Sequence, residues 1–428
     1  MNYFQFIRQN RIMVMFGIMM TALSSFGQTF LLALYVPYLI SDFSLTNSSV
    51  SSFYGIATIV SASILPKIGK LIDTVPLKIF TIITTLIFSS SLVLFSLATT
   101  WWVIPIAFFG LRLAGQGLYS HIAITSMSRY FEANRGKAIS LASLGHPLGQ
   151  AVLPALILVV IGWVGWRESL WLNAGLVTVF VTLFTLFGVK QRHLQPEDSS
   201  EELEATELDK PAKKIRQRDI MRSKEFWLLA PNIFFIPFAT TGLFFYQIAI
   251  VEFKGWQEGI IAAGLSTYAL AAATSIIFAG PMIDRYRART FFPYYLIPFL
   301  IAILGIWLIP NTWSMFVYMI FMGISVGFGN AILAALQVEF FGKKFIGSVR
   351  SLFTSMMVLS SAVGPTLYGL ILDAGWGWEV VFPVNLALLI PIILQSFRAL
   401  PLYTRAKWKF KYKRVTGKFK KSGNLPPV

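Results

Sequence analysis

The chain has 428 residues, 56% of them hydrophobic and only 13% charged, with a formal net charge of +17 and no cysteine. Soluble globular proteins carry nearer a quarter charged residues, so a soluble enzyme or binding domain is excluded. The lack of cysteine excludes a disulfide framework, a thiolate metal site and a thiol nucleophile.

A spanning helix needs roughly 20 mostly apolar residues. Twelve such stretches follow one another, at 13–40, 47–72, 77–98, 101–128, 137–161, 168–189, 225–251, 257–282, 290–309, 312–340, 345–372 and 378–398. They are too long and too uniformly apolar for the alternating strands of a membrane barrel. The predicted fold is therefore an all-α polytopic membrane protein. The N-terminal MNYFQFIRQNRIMVMF shows no small-residue cleavage site, so the first stretch reads as an uncleaved anchor rather than a signal peptide.

Lys and Arg fall in alternate connections: Arg8 and Arg11, then 67–78, 129–137, 190–224, 285–289, 343–350 and the tail from Arg398. The other connections hold only Arg167 and Lys254. That asymmetry places both termini in the cytoplasm and assigns the net charge to orientation, so no nucleic-acid partner is expected.

Along the chain, the first stretch carries Ser24, Gln28 and Tyr35 at i, i+4 and i+11, one helical face. The connection after the second stretch reads GKLID, residues 69–73, followed by Lys78. The fourth contains AFFGLRLAGQGLYSH, with Arg112 near its middle. A guanidinium stays charged in a protein, and at the centre of a bilayer helix it costs at least about 2.5–3.5 kcal/mol. Gln116 and Tyr119, four and seven residues on, extend a polar stripe from it, and His121 points to the opposite side. Two accounts of Arg112 compete: it meets a ligand or coupling ion, or it caps backbone carbonyls or pairs with a carboxylate on a neighbouring helix. No Asp or Glu lies mid-span in the first six stretches, so the carboxylate version has no evident partner.

The fifth stretch holds LGHPLGQAVLP, with Gly136, Gly145 and Gly149 spaced G-x8-G-x3-G. His146 could carry a proton at neutral pH, or pack against a carbonyl loosened by Pro147. Residues 190–223 run from acidic to basic without apolar periodicity and read as a linker; HLQPED within them matches an H-x4-D spacing, but the segment has no fold to hold a catalytic pair. Stretch seven offers Thr240 and Gln247, and stretch ten Asn330 and Gln337, each pair seven apart. The tail from 400 to 428 interleaves cations with Trp408, Phe410 and Tyr412, which suits contact with anionic lipid.

GKLID returns as GPMID at 280–284, an offset of 211 residues, and at that offset Lys78 falls on Arg289, Gly136 on Gly347 and Pro154 on Pro365. The second half thus repeats the first in the same orientation, as a parallel repeat about an axis along the membrane normal. The expected organisation is a six-helix bundle over 1–189, a cytoplasmic linker over 190–223, a second bundle over 224–399 and a basic tail over 400–428.

This layout resembles the major facilitator superfamily over essentially the whole chain. The family's loop signature, Gly-x-Leu-Ala-Asp-Arg-x-Gly-Arg-Lys, is matched at Gly69, Leu71, Asp73 and Lys78, and in the second copy at Gly280, Asp284, Arg285 and Arg289. Thr74, Pro76 and Leu77 depart from it. The resemblance implies that these residues gate the cytoplasmic side, with Arg135 the partner of Asp73. Glu339 and Arg350 flank the later loop as Glu132 and Arg135 flank the earlier one, a gate or brace. RLAGQG resembles the helix-4 Arg-x-x-x-x-Gly signature, where the Arg is tied to substrate binding or proton coupling. The helix-5 glycines resemble the drug-antiporter motif, but Gln150 stands where its proline follows. The looser pattern is more similar to monocarboxylate and oxalate/formate-type porters.

The resemblance also puts helices 1, 4, 7 and 10 around a central cavity. The substrate-binding set is then Arg112, Gln116, Tyr119, Ser24, Gln28, Tyr35, Thr240, Gln247, Asn330 and Gln337, with His146 for proton coupling. The expected protein is a monomeric, multi-pass plasma-membrane transporter, working by alternating access on a small organic anion such as a carboxylate. It is not an enzyme, and without a Walker motif it is not driven by ATP; no cofactor is expected. The rival is a drug or amphiphile exporter, and more distantly a non-transporting membrane sensor.

Overall fold

The computed structural model describes residues 3–131, 134–189, 217–342 and 346–400. The described residues are helical throughout, without strands. Helices lie at all twelve positions marked in the sequence. In chain order α1 is a broken rod, Tyr3–Leu23, a 3-10 turn Ser24–Gly27, and Thr29–Leu32 onward to Val36–Phe43. There follow α2 Asn47–Gly69, α3 Leu77–Ser96, and α4 as Val103–Gly110, a π-helical stretch Leu111–Tyr119 and Ser120–Tyr130. Next come α5 Arg135–Val164, α6 Trp166–Gly188, α7 Lys224–Phe245 continued by Gln247–Phe253, and α8 Ile260–Tyr286. The chain ends with α9 Ile297–Leu308, α10 Ser314–Phe341, α11 Ile346–Asp373 and α12 Trp378–Ser396.

Among the described residues, nine of these helices are long and apolar enough to cross a membrane. A tenth is α1 when its two arms, bent by 50°, count as one span. The bend falls in SSFGQ, where Ser and Gly weaken the helix and Gln28 is extended (φ −85°, ψ 154°). Residues 190–216 of the linker, with the HLQPED motif, Glu132 and the basic tail from 401 lie outside the described residues.

The halves meet along two main seams, α2 against α11 and α5 against α8. The repeat exchanges these seams, since six helices on from α2 is α8 and from α5 is α11. At the end of the molecule away from the basic loops, Asp373 closes the first seam. Its carboxylate accepts from the backbone N–H groups of Asn47 (3.0 Å) and Ser48 (2.8 Å) and from Asn47 Nδ2 (3.0 Å). Tyr246 donates to Asn47 O at 2.9 Å, and Gln247 Nε2 to Phe30 O at 2.7 Å. Further in, Ser266 donates to Ala151 O at 2.6 Å across the α5/α8 seam.

The two cations of this end are occupied structurally. Arg167 donates to Ser96 O and Ala98 O at the close of α3, and Lys254 to Trp307 O and Ile309 O at the close of α9. α3 and α9 are repeat equivalents, and a cation is the residue that satisfies the free carbonyls of a helix C-terminus.

At the basic end the ion pairs join residues of the same half, and the helices of the two halves leave a cavity between them.

Candidate substrate-binding site

The broken α1 lies directly on the π-helical part of α4. A Cβ added at Gly27 would collide with the backbone of Leu111 and Gln116, so only glycine permits this approach. On the far side of α1, Gly145 and Gly149 do the same for α5, where a Cβ would strike Ile18 and Thr21, or Ser25 and Ala22. The Gly145 and Gly149 positions in α5 are thus the footprint of α1, whereas a Cβ at Gly136 would meet nothing within 4 Å.

Arg112 sits where these elements cross, with 4% of its surface exposed. Its Nη1 donates to Gly27 O at 3.0 Å, a carbonyl freed by the helix break. Its guanidinium lies 4.9 Å from the Tyr54 ring centroid, a cation–π contact. Tyr54 is fixed in turn by a hydroxyl contact with Thr29 at 2.5 Å and by the rings of Phe108 and Phe245. Arg112 Nε, also buried, has no hydrogen-bond partner. The capping account of Arg112 is therefore true of one nitrogen and leaves donor capacity over.

Arg112 is also one of the residues lining a cavity of about 420 Å³ between the halves, formed from α1, α2, α4, α7 and α11. Gln28, Arg112 and Gln116 come from the residues picked out in the sequence. Thr58 and Ser61 of α2, Thr241 of α7 and Thr354 and Ser361 of α11 add hydroxyls, while Leu65, Pro237, Met357 and Val358 supply apolar wall. The described lining holds one cation and no carboxylate.

Seven of the ten expected binding residues stand elsewhere. Tyr119 is fully buried toward α3, donating to Thr85 Oγ1 at 3.2 Å with its ring on Phe88. The reason is the π-helix. It turns less per residue than an α-helix, so the seventh residue falls short by roughly a third of a turn, while the fourth stays close to the same face. Ser24 is buried and bonded to Thr21 O, and Tyr35 meets Ser169 at 3.2 Å beneath Phe95. An i, i+11 spacing carries no face across a helix that breaks between the two. Gln247 bridges the halves outside the cavity, and Thr240 is turned back onto Ile236 O at 2.6 Å while its neighbour Thr241 takes the cavity position. Asn330 is exposed and Gln337 buried in α10, and neither is among the residues lining this cavity.

The α2 and α11 hydroxyls passed unnoticed in the sequence. Thr58, Ser61 and Leu65 stand at i, i+3, i+7, and Thr354, Val358 and Ser361 at i, i+4, i+7. The same face test would have found both, but Ser and Thr in apolar helices usually satisfy themselves on the preceding turn.

Replacing Tyr119 by Phe is expected to leave ligand affinity within about twofold and to cost about 1 kcal/mol or less of stability, since Thr85 keeps its bond to Thr81 O. Ligand titration beside thermal unfolding checks this, and a tenfold loss of affinity would return Tyr119 to the site.

The loop motifs build braces at the basic end. Asp73 pairs with Arg129 at 2.6 Å, not with Arg135, whose Nε donates to Ser128 O at 3.3 Å. Arg129 ends α4 directly beside the 3-10 turn that carries Asp73, and it also binds Ile72 O at 3.1 Å, a fork that Arg135 does not make. In the second half Arg289 meets Glu339 at 3.2 Å, and Glu339 also accepts from Ala288 N. The braces have opposite polarity: the loop supplies the carboxylate in the first half and the cation in the second. Gly69 lies under His121, whose Nε2 is 3.0 Å from Gly69 O. Lys78 donates to Leu186 O at 3.1 Å, and Asp284 and Arg285 are exposed, Arg285 lying over Tyr286 at 5.2 Å. Nothing within 4 Å would obstruct a side chain at Gly280.

Because Asp73 is 66% exposed and Arg129 35%, Asp73→Asn is expected to cost about 1 kcal/mol or less in thermal unfolding. A loss above about 3 kcal/mol would mark the pair as a buried lock. His146 lies half-buried with its ring edge-on to Phe30 at 6.5 Å.

Comparison with known proteins agrees with this architecture. A sequence model described as the Major Facilitator Superfamily matches residues 17–266 and 244–423. The chain is 26% identical over 186 residues to the "Bacillibactin exporter" of Bacillus subtilis (strain 168), covering 42% of this chain and 46% of that one. It is 29% identical over 140 residues to a "Multidrug resistance protein B homolog" of Mycobacterium tuberculosis, covering 33% of this chain and 26% of that one. It thus spans less than half the length of these curated relatives. Among solved structures it is similar to a bacterial homolog of the human lysosomal transporter Spinster in an inward-facing, unoccupied conformation. The TM-score is 0.72 at 16% identity, over 91% of this chain and 96% of that one. The nucleoside transporter NupG gives a TM-score of 0.72 at 12% identity, over 91% and 100%.

Proposed function

The chain belongs to the Major Facilitator Superfamily, and from that premise we propose that it is a secondary transporter of a small organic anion, working by alternating access. It is a multi-pass integral membrane protein, and its superfamily carries small molecules. The observation that carries the anion reading is Arg112: a buried cation, not fully hydrogen-bonded, in the lining of a cavity whose described residues include no carboxylate. A guanidinium fork matches a carboxylate with two parallel bonds, so Gln28 and Gln116 beside it would orient the ligand by its remaining polar atoms. The charge that is costly in an empty site is then neutralised in each cycle by the thing carried.

With the basic end in the cytoplasm, as the charge asymmetry indicates, the cavity faces inward and the bonds around Asp373 close the outer side. Residues 1–189 and 224–399 serve as the two rocking bundles, 190–223 joins them, and the tail from 400 rests on anionic lipid. The Asp73–Arg129 and Arg289–Glu339 braces hold each bundle's inner end rigid as it moves. His146 is the candidate for proton coupling, being the only histidine of α5 and close to the α1 break through Phe30.

Export of a larger amphiphile is the second reading. It is favoured by the apolar wall of Leu65, Pro237, Met357 and Val358 and by two of the relatives in sequence, which are named an exporter and a multidrug resistance protein. A counterflow assay in proteoliposomes separates the two: organic carboxylates compete with one another under the first, and cationic amphiphiles compete under the second.

A further inference from the structure

A second cavity, of about 620 Å³, lies at the basic end of the C-terminal half, away from the central site. It opens where the chain enters α7 and where it leaves α12. Arg222 and Lys224 line it from the first side, Arg398 from the second, and Arg289 from the turn after α8. Arg222, Lys224 and Arg398 are exposed and, among the described residues, have no carboxylate within ion-pair distance, whereas Arg289 is held by Glu339. Glu225 is the one carboxylate of the lining. Three exposed cations around one concavity, with a single carboxylate in its described lining, repel each other and favour an anionic occupant.

The position selects among anions. Trp227, in the first turn of α7, lines the cavity and is 62% exposed, and Leu394 of α12, next in the chain to the lining residue Gln395, is 65% exposed. A Trp at a helix end with an apolar flank is the pattern of a membrane–water interface. Gln395 is tied to the Trp227 carbonyl at 2.7 Å, which joins the ends of α7 and α12 into one wall. Arg289 lies over the Phe340 ring at 4.4 Å, so it is fixed as well as charged.

We propose that this cavity binds the phosphate headgroup of an anionic lipid from the adjacent leaflet, with Arg222, Lys224 and Arg398 as its cations and the acyl chains descending past Trp227 and Leu394. The site uses described residues only and is separate from lipid contact by the tail. Because Arg289 borders it, a bound phosphate also competes with Glu339 for that guanidinium, linking lipid occupancy to the brace between the α8–α9 turn and α10.

The test uses the full-length protein in phosphatidylcholine nanodiscs with an increasing fraction of phosphatidylglycerol, reading retained lipid by native mass spectrometry and the unfolding midpoint in parallel. The wild type should retain phosphatidylglycerol saturably over phosphatidylcholine, and Arg222→Gln with Arg398→Gln should weaken it at least tenfold. Lys67→Gln with Lys70→Gln, which removes the same charge from exposed positions on the other half, should leave it unchanged. Should the first pair not yield folded protein, Lys224→Gln alone is expected to weaken retention at least threefold. Equal loss in both pairs would reduce the effect to diffuse charge and overturn the site. So would retention no greater than for phosphatidylcholine, or displacement of the lipid by millimolar inorganic phosphate, which would make free phosphate the ligand.

Discussion

Arg112→Gln is expected to remove the response to organic anions while leaving the empty protein folded. Bonds to a charged group contribute roughly 1.5–3 kcal/mol each, so loss of a fork should cost about 2–4 kcal/mol, or about 30- to 1000-fold in affinity. The empty protein changes less, because losing the Nη1 bond to Gly27 O is offset by removal of a buried charge. Ligand-induced thermal shift reads this directly. A carboxylate at a hundred times its dissociation constant should add about 2.7 kcal/mol to the wild type. For a variant binding a hundredfold more weakly, the same concentration should add only about 0.4 kcal/mol. If cationic amphiphiles shift both proteins alike and carboxylates shift neither, Arg112 is a structural cap for the α1 break and the exporter reading replaces the anion one.

Asp373→Ala is expected to loosen the closed end. Asp373 accepts three hydrogen bonds from the first residues of α2, two of them from helix N-terminal amides that have no partner of their own. The group is near the surface, so the three together contribute about 1–2 kcal/mol, enough to move the balance between inward- and outward-open states by roughly 5- to 30-fold. The cysteine-free chain gives a clean reporter. Ser51→Cys, at a position fully buried in the α2/α11 seam, should react with an impermeant maleimide at least five times faster when Asp373 is replaced. An unchanged rate would mean that Tyr246, Gln247 and the packed seam hold this end shut without it.

These two residues differ in how far the sequence exposed them. Arg112 stood out because a permanent charge in an apolar run has few explanations. Asp373 ends an ordinary helix, and its partners Asn47 and Ser48 lie more than three hundred residues away, so no local pattern marks them. The same holds for Arg129. The family resemblance implied Arg135 for Asp73, and only the packing of α4 on the 3-10 turn puts Arg129 there instead. Thr241 took the place expected for Thr240, whose hydroxyl is turned back onto Ile236 O.

The amino-acid sequence by itself determined the membrane class, the helix positions, the repeat and the superfamily, because each rests on averages over twenty or more residues that local irregularity does not disturb. It also determined that Arg112 needs a partner, since desolvation of a fixed charge is costly wherever the chain places it. Only the tertiary structure decided which polar residues share a cavity. α1 breaks at Ser24–Gln28 and α4 unwinds to a π-helix over Leu111–Tyr119, and the two departures lie against each other, at the contact of Gly27 with the α4 backbone. Face assignments assume a constant 100° per residue. Where two helices deform each other to approach this closely, that constant fails, and it fails at the site itself.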